Sequence, residues 1–398
     1  MQAWLRMAPL LPPASRNAYL PTIMSTIFQC INTVVTVGGG ENAGDSDGDS
    51  SDDEGEGGHA NTDIRTSAVE EISVGVHSLL LLSESLQESL YDYVAPAIDA
   101  IVPHTESPHD DIRAYAIATL AELVRCVAKF PSPDPFPAIR QITELVLQKC
   151  VDNILCEDNG EVLATSVQTI KLTLTYAYTP ATPSTPPPSL LTREEITTLT
   201  EVSVQLLKES LQRQSVQVAE AQLQTRLSPS AAHYDPNCDA EELDIQYVVA
   251  DFVGSTVCRL FATSLIHETA FNDLLLPFIM QLSRSPSATS RAKIGVCMLD
   301  DVLQYIVCTD CMLRSRADEL ANEASKIFVK CMDDNEDGEL AQAATHGLEL
   351  LAEHYPGALD SAPLIAFVNK VGDPQTTSWR EAKENAVKAI TMLKNVYV

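Results

Sequence analysis

The chain has 398 residues, 45% of them apolar, and carries 26 Lys and Arg against 55 Asp and Glu, a formal net charge of −29. A field of that sign disfavours nucleic acid and anionic membrane as partners and favours a basic protein. The ten Cys show no disulfide-like spacing, the proline-broken start MQAWLRMAPLLPPAS is no secretory leader, and the longest apolar stretch, VVADFVGSTVCRLFATSLI, holds Asp251 and Arg259; buried thiols in a reducing compartment and no membrane span are expected.

In chain order, residues 3–12 read as the end of one helix and Asn17 to Val37 as the next. Residues 38–62, GGGENAGDSDGDSSDDEGEGGHANT, hold eight acidic side chains, no Lys or Arg and no aliphatic residue larger than Ala, so they cannot offset the entropy of ordering and are expected to form a disordered acidic loop. Helix resumes from Ile64 to Ser85, followed by pairs at 88–104 with 108–129 and 136–155 with 158–177. The prolines of residues 179–191 forbid helix and predict an extended linker between repeats. Thr192 and Glu195 form a capping-box pattern that opens a long polar helix through about Leu227. A Pro- and Asp-containing loop at 228–240 precedes a helix from Glu241 to about Leu265, and three further helical pairs finish the chain.

The second helix of each pair is Ala-rich and amphipathic, and these helices begin near residues 64, 108, 158, 240, 287, 336 and 378. Most of the steps fall between roughly 42 and 50 residues, the period of HEAT repeats. The predicted fold is therefore all-α, one α-solenoid of about seven helical hairpins, an architecture that binds partners along its surface. Within the unit that starts at Ser107, Ile112, Ala116, Leu120, Leu123, Val124 and Val127 form one apolar stripe, with Arg113, Glu122 and Lys129 pointing elsewhere. Ser107 and Pro108 read as its N-cap and first helical residue. The stripe recurs as Leu340, Ala344, Gly347, Leu348 and Leu351, and as Ala382, Ala386, Ala389, Ile390 and Leu393, where small residues permit close helix approach.

Catalytic and metal-binding patterns are weak. Asp45, Asp47, Asp49 and Glu56 fall on the spacing of an EF-hand loop, but Ser50 stands where the turn glycine belongs and no helix flanks the segment. Asp333, Asn335, Asp337 and Gly338 fail in the same way, ending at Ala344. Cys308 and Cys311 are a lone CxxC without a second pair, which reads as core or boundary thiols. No phosphate loop or nucleophile motif is present, so neither enzyme activity, a cofactor nor a metal is expected. Trp4 and Trp379 read as packing anchors near helix ends. Asp300 and Asp301 sit mid-helix between Leu299 and Val302, and a carboxylate beside a buried stripe needs a hydrogen bond or a cation. A structural bond between repeats is expected for at least one of them, leaving the other exposed to a partner.

Several segments carry a family resemblance. YLPTIMSTIFQC, an acidic tract, YDYVAPAIDAIVPHTESPHDDIRAYAIATLAELVRC and AKIGVCMLDDVLQYI follow one another in an order that resembles the central HEAT repeats of the importin beta-3 (importin-5) branch of the karyopherin-beta nuclear transport receptors. GELAQAATHGLELLAEHYPG and TTSWREAKENAVKAITMLKN are similar to the repeats that follow there, so the resemblance spans nearly the whole chain and matches a central piece of a longer receptor. It implies a receptor shuttling between cytoplasm and nucleus that holds basic cargo bearing nuclear localisation signals on an acidic surface of the second helices. GTP-bound Ran, whose main site would lie outside this chain, releases the cargo, and FG-repeat nucleoporins are further partners. On that geometry Asp111, Asp158, Glu161, Asp300, Asp301, Asp337 and Glu339 are cargo-binding candidates, with helix capping as the competing role of Asp111, Asp158 and Asp337. Asp45, Asp47, Asp49, Asp52, Asp53, Glu54 and Glu56 of the acidic loop are candidates for contact with Ran or basic cargo, or form a solvated spacer. The alternative on the same fold is a static HEAT scaffold without Ran-dependent release.

Overall fold

A computed structural model describes residues 10–33, 59–132, 134–178, 190–227, 236–264, 270–285, 290–309, 314–333, 337–374 and 376–396. Among them there is no strand, and the chain divides into two compact units, Met1–Asn153 with Leu172–Pro187, and Ile154–Lys171 with Pro188–Val398. In order, the helices are α1 (Pro13–Ile31), α2 (His59–Leu86), α3 (Val94–Ile101), α4 (Asp110–Lys129), α5 (Phe136–Cys156), α6 (Gly160–Ala177), α7 (Arg193–Leu227) and α8 (Pro236–Phe252). There follow α9 (Cys258–Ser264), α10 (Leu276–Ser283), α11 (Ser290–Val302), α12 (Arg314–Met332), α13 (Gly338–His354), α14 (Ser361–Val371) and α15 (Thr377–Val396). Among the described residues, α1 packs with α2, α3 with α4, α7 with α8, α10 with α11, α12 with α13 and α14 with α15 as helical pairs, and α8 and α9 form one continuous helix through the π-helical turn Val253–Val257. This is the all-α solenoid architecture expected from the period.

In the first unit, α1 packs on α2 and α2 on α4. The stripe expected on α4 is buried throughout, from Ile112 to Val127. A fully buried Leu, Ile or Val contributes about 1.5–3 kcal/mol of transfer free energy, which is what holds such a helix against its neighbours. The chain before α4 departs from a single straight helix at 88–104. Gln87 takes a positive φ of 46°, and short 3-10 turns at Gln87–Tyr93 and Val102–Glu106 flank α3. Pro103 inside the second turn has no N–H to continue an α-helical ladder. α4 itself begins at Asp110 rather than Pro108, because the Ser107 hydroxyl accepts from His109 N at 3.3 Å in a turn that precedes the helix. Glu122, expected to point away from the stripe, is buried instead: Arg125 pairs with it and the Tyr176 hydroxyl donates to its Oε1 at 3.2 Å.

In the second unit, α7 opens on the expected capping box, with Thr192 N donating to Glu195 Oε2 at 2.6 Å and Glu195 N to Thr192 Oγ1 at 3.2 Å. Second helices then pack on one another directly, α8 on α11, α11 on α13 and α13 on α15. The α13 and α15 stripes, Leu340 to Leu351 and Ala382 to Leu393, are buried as their spacing implies. Small residues set the approach of the helices. At Gly295 of α11 an added Cβ would lie 2.3 Å from Ser283 N and 2.6 Å from the Leu282 carbonyl carbon, so α10 touches α11 backbone to backbone.

Further boundaries expected from the sequence shift, beginning with α1, which runs Pro13–Ile31 where Asn17 to Val37 was expected. Helix α2 starts at His59, so the acidic insert ends before 62; with Gly58 passed, no Gly or Pro breaks the chain up to Ile72. Helix α8 starts at Pro236 inside the expected 228–240 loop, as Pro suits a first helical turn. Leu190 and Leu191, the last residues of the Pro-rich linker, are buried and thus belong to the packed unit. Most of the acidic tract, the prolines of 179–189, Trp4 and Cys311 lie outside the described residues. Replacing Gly295 with Ala is expected to lower stability by about 1–3 kcal/mol, because the blocking atoms are backbone and cannot swing aside. Urea unfolding of the purified chain reads this directly; an unchanged midpoint would mean that α10 and α11 are not in contact at this point.

Candidate protein-interaction surface

Across the second unit, charged side chains on each second helix reach the next one along the stack. Lys171 of α6 pairs with Asp251 of α8, and Asp300 of α11 accepts from His346 Nδ1 of α13 at 2.7 Å. Glu349 of α13 lies 3.3 Å from Lys388 of α15. A parallel set starts one turn into α11: Lys293 pairs with Glu339, lies 3.6 Å from Asp337 and stands over the Tyr247 ring of α8 at 5.5 Å. Asp337 also caps α13, accepting from Glu339 N at 2.9 Å and Leu340 N at 3.1 Å. These links connect residues 46 apart for Lys293 and Glu339 and for Asp300 and His346, which is one repeat.

The cluster around Asp301 is the most acidic part of this arrangement. Asp301 is half-buried against α8, where the helix passes into its π-helical turn. An added Cβ on Gly254 would stand 2.0 Å from Asp301 Oδ2 and 2.8 Å from its Cγ, so any side chain there would force this carboxylate to turn aside. Burial, with Asp300 and Asp251 close by, pushes the Asp301 carboxyl from 3.8 up to about 7. Burial also raises Asp300, against the opposing effect of its bond to His346, and Asp300 Oδ1 is buried without a hydrogen-bond partner among the described residues. The same bond raises His346 above 6.5. Cys297, on the preceding turn of α11, is pushed up to about 12 by burial and the two carboxylates and stays a neutral thiol. Among the described residues no group of His, Cys, Asp and Glu is arranged to hold a metal ion.

The seven helical candidates from the sequence thus fall into two kinds. Asp300, Asp301, Asp337 and Glu339 are drawn into contacts between helices, and Asp301 is half-buried rather than presented outward. Asp111, Asp158 and Glu161 are exposed at helix starts. Asp111 lies in the first turn of α4, whose N-cap is His109, and makes no capping bond there. At the start of α6 the cap is Asn159, which accepts from Glu161 N at 3.0 Å and Val162 N at 3.1 Å, so Asp158 is not the capping residue. Asp45, Asp47, Asp49, Asp52, Asp53, Glu54 and Glu56 lie outside the described residues. Sequence reasoning passed over Lys171, Asp251, Lys293 and His346. Their signal was the repeat period itself, since Asp251 to Asp301 and Asp300 to His346 are each one repeat apart.

No protein-family model matches the sequence, and no curated protein does. Solved structures do match in shape. Kap121p bound to Nup53p superposes with a TM-score of 0.63 at 14% identity, over 84% of this chain and 28% of that one. Kap121p bound to RanGTP gives 0.61 at 13% identity over the same shares, and a Kap121p mutant gives 0.65 at 14% identity over 100% of this chain and 35% of that one. The fold is an all-α solenoid similar in shape to part of these Kap121p structures. The chain spans about a third of the length of these structures.

The tightness at Gly254 generates a test. Gly254→Ala is expected to displace Asp301 and lower stability by about 1–3 kcal/mol. Asp301→Ala in the same chain removes the clashing carboxylate, so a double-mutant cycle should return a favourable coupling of about 0.5–3 kcal/mol. Strictly additive losses would mean that the two residues do not meet.

Proposed function

We propose that this chain is the cargo-holding segment of a nuclear import receptor of the karyopherin kind, which binds basic cargo proteins through exposed carboxylates of its second helices and gives them up when GTP-bound Ran binds. The observation that carries this reading is the surplus of exposed acid at the starts of second helices, Asp111, Asp158 and Glu161, in a chain whose formal net charge is −29. Carboxylates displayed on rigid helix ends attract a lysine-rich segment at long range and give it partners on arrival without having to break internal bonds first. The likeness to Kap121p structures solved with Nup53p, with Pho4p and with RanGTP supports the same reading. So does the resemblance of the sequence to the importin beta-3 branch. The acidic tract would add to the attraction for Ran or cargo, with the main Ran contact outside this chain. Such a receptor shuttles between cytoplasm and nucleus.

A second surface suits the FG-repeat nucleoporins expected as partners. Between α3 and α5 lies a groove of about 570 Å³, floored by Ile98, Val127, Ile142 and Leu145 and edged by Tyr91 and Asp99. An apolar ring of phenylalanine size fits such a groove.

The decisive experiment is capture of a basic nuclear-localisation peptide by the full receptor, with and without GTP-locked Ran. Release by Ran supports transport, whereas binding that ignores Ran supports the static scaffold. Asp158→Lys with Glu161→Lys is expected to weaken peptide binding roughly tenfold, or about 1.4 kcal/mol, at low salt. The thermal midpoint should fall only slightly, by the cost of about 0.3–1 kcal/mol of placing Lys in the first turn of α6, since neither side chain caps the helix. Affinity that is insensitive to both the charge reversal and added salt would remove these carboxylates from the binding surface.

A further inference from the structure

Three repeats meet at one cluster of titratable groups that cargo recognition does not explain. From α8 comes Asp251, held by Lys171 of α6; from α11 come Asp300 and Asp301; from α13 comes His346, with Glu349 and its partner Lys388 of α15 beyond it. Arg259 of α9 stands over the Tyr305 ring at 5.9 Å on the far side, and Cys258 and Cys297 flank the carboxylates. Three carboxylates therefore share one ammonium and one imidazole in a place where Asp301 is fitted against Gly254 and Asp300 Oδ1 has no donor among the described residues. Each of the α8 and α11 helices passes into a π-helical turn just beyond its acid, at Val253–Val257 and Leu303–Val307. Such turns interrupt the regular ladder and recur at functional sites.

We propose that this cluster is a proton-loaded joint: protons held at Asp301 and on the Asp300–His346 pair clamp α8, α11 and α13 together, and their loss toward mildly alkaline pH loosens the stacking of these repeats. The inference does not depend on cargo transport, because every group it uses lies between helices of this chain.

The direction follows from linkage. Asp301 holds its proton up to about pH 7 in the folded chain but releases it near 3.8 when unfolded. The folded state therefore binds more protons between those values, and stability falls as pH rises through that window. The raised carboxyl of Asp300 acts in the same sense. His346, raised above 6.5 by Asp300, stabilises fully below 6.5, and that contribution is lost as pH rises through its folded value. All three changes point the same way. Burial raises the Cys297 thiol and the Tyr305 hydroxyl, so both remain neutral across this range and do not oppose it.

Asp301→Asn imitates the protonated carboxyl and isolates this effect from the general field of the acidic chain. The urea midpoint of the variant is expected to exceed that of the unmodified chain by a margin that is largest at pH 8, smaller at pH 5 and lost only below about pH 3.8, where the folded and unfolded forms of the unmodified chain both hold the proton. A difference of the same size at both pH values would overturn the proposal and leave Asp301 with a packing role only. Amide hydrogen exchange of the unmodified chain gives a second reading that requires no variant. After correction for intrinsic rates, protection in α8, α11 and α13 should drop between pH 6 and pH 8 while α2 and α4 hold theirs. The His346 ring resonance, assigned through its loss in His346→Gln, should titrate above the ordinary histidine value and fall back in Asp300→Asn. Protection that does not change with pH, or an ordinary titration of His346, would sink the idea.

Discussion

Close approach of the second helices is the constraint from which the rest follows. A single hairpin cannot bury its own apolar stripe, so it depends on the neighbouring repeat. In the second unit the neighbours come close because Gly254 and the alanines of α15 put no bulk between them. That approach narrows the access of water to the polar side chains at the seam, most at Asp300 and least at Asp251 and Glu339, whose side chains stay 51% and 65% exposed. A carboxylate there must find a partner, shift its pKa or swing out. Asp251 takes Lys171, Asp300 takes His346, Glu339 takes Lys293, and Asp301, tucked against glycine, has its pKa shifted. The ionic links between repeats are thus a consequence of apolar packing, and they fix register rather than supply the driving force.

How far the sequence disclosed this depends on range. Signals carried by a single helix were legible: the α4, α13 and α15 stripes, the Thr192 and Glu195 capping box, and the period that defines the solenoid. Boundaries were less so, because Ser107 and Pro108 satisfy the composition of a helix start while the His109 amide bonds to the Ser107 hydroxyl in a turn of its own. Least visible were the partners. Whether Glu122 faces water or Arg125 and Tyr176 depends on how α4 is rotated against α6. Helical phase alone leaves that rotation uncertain by a residue. Asp300 and Asp301 stood out as polar residues beside a buried stripe, yet which of them would be bonded turned on Gly254 in one neighbour and His346 in the other.

The acids of this chain consequently divide by environment rather than by sequence neighbourhood. Those at helix starts, such as Asp111, Asp158 and Glu161, are exposed and retain their interaction with solvent. Those at the seams are committed to Lys, His or a raised pKa. Adjacent acids can differ, as Asp300 and Asp301 illustrate: one is bonded to His346 while the other sits against Gly254 with a raised pKa. A list of acidic residues on second helices therefore overstates the surface open to a basic partner.

Salt distinguishes the exposed carboxylates from the cluster at Asp300 and Asp301, since charges in water are screened over about 8 Å at physiological ionic strength whereas groups buried between helices are screened far less. Raising the salt should then weaken the long-range pull of the exposed carboxylates well before it touches the bond between Asp300 and His346. On the proposed readings, recognition and stiffness are separately adjustable, one through ionic strength and the other through protons at Asp300, Asp301 and His346. A solenoid that used the same carboxylates for both would soften whenever it let go of a basic partner, and on those readings the division between exposed and seam carboxylates avoids that coupling.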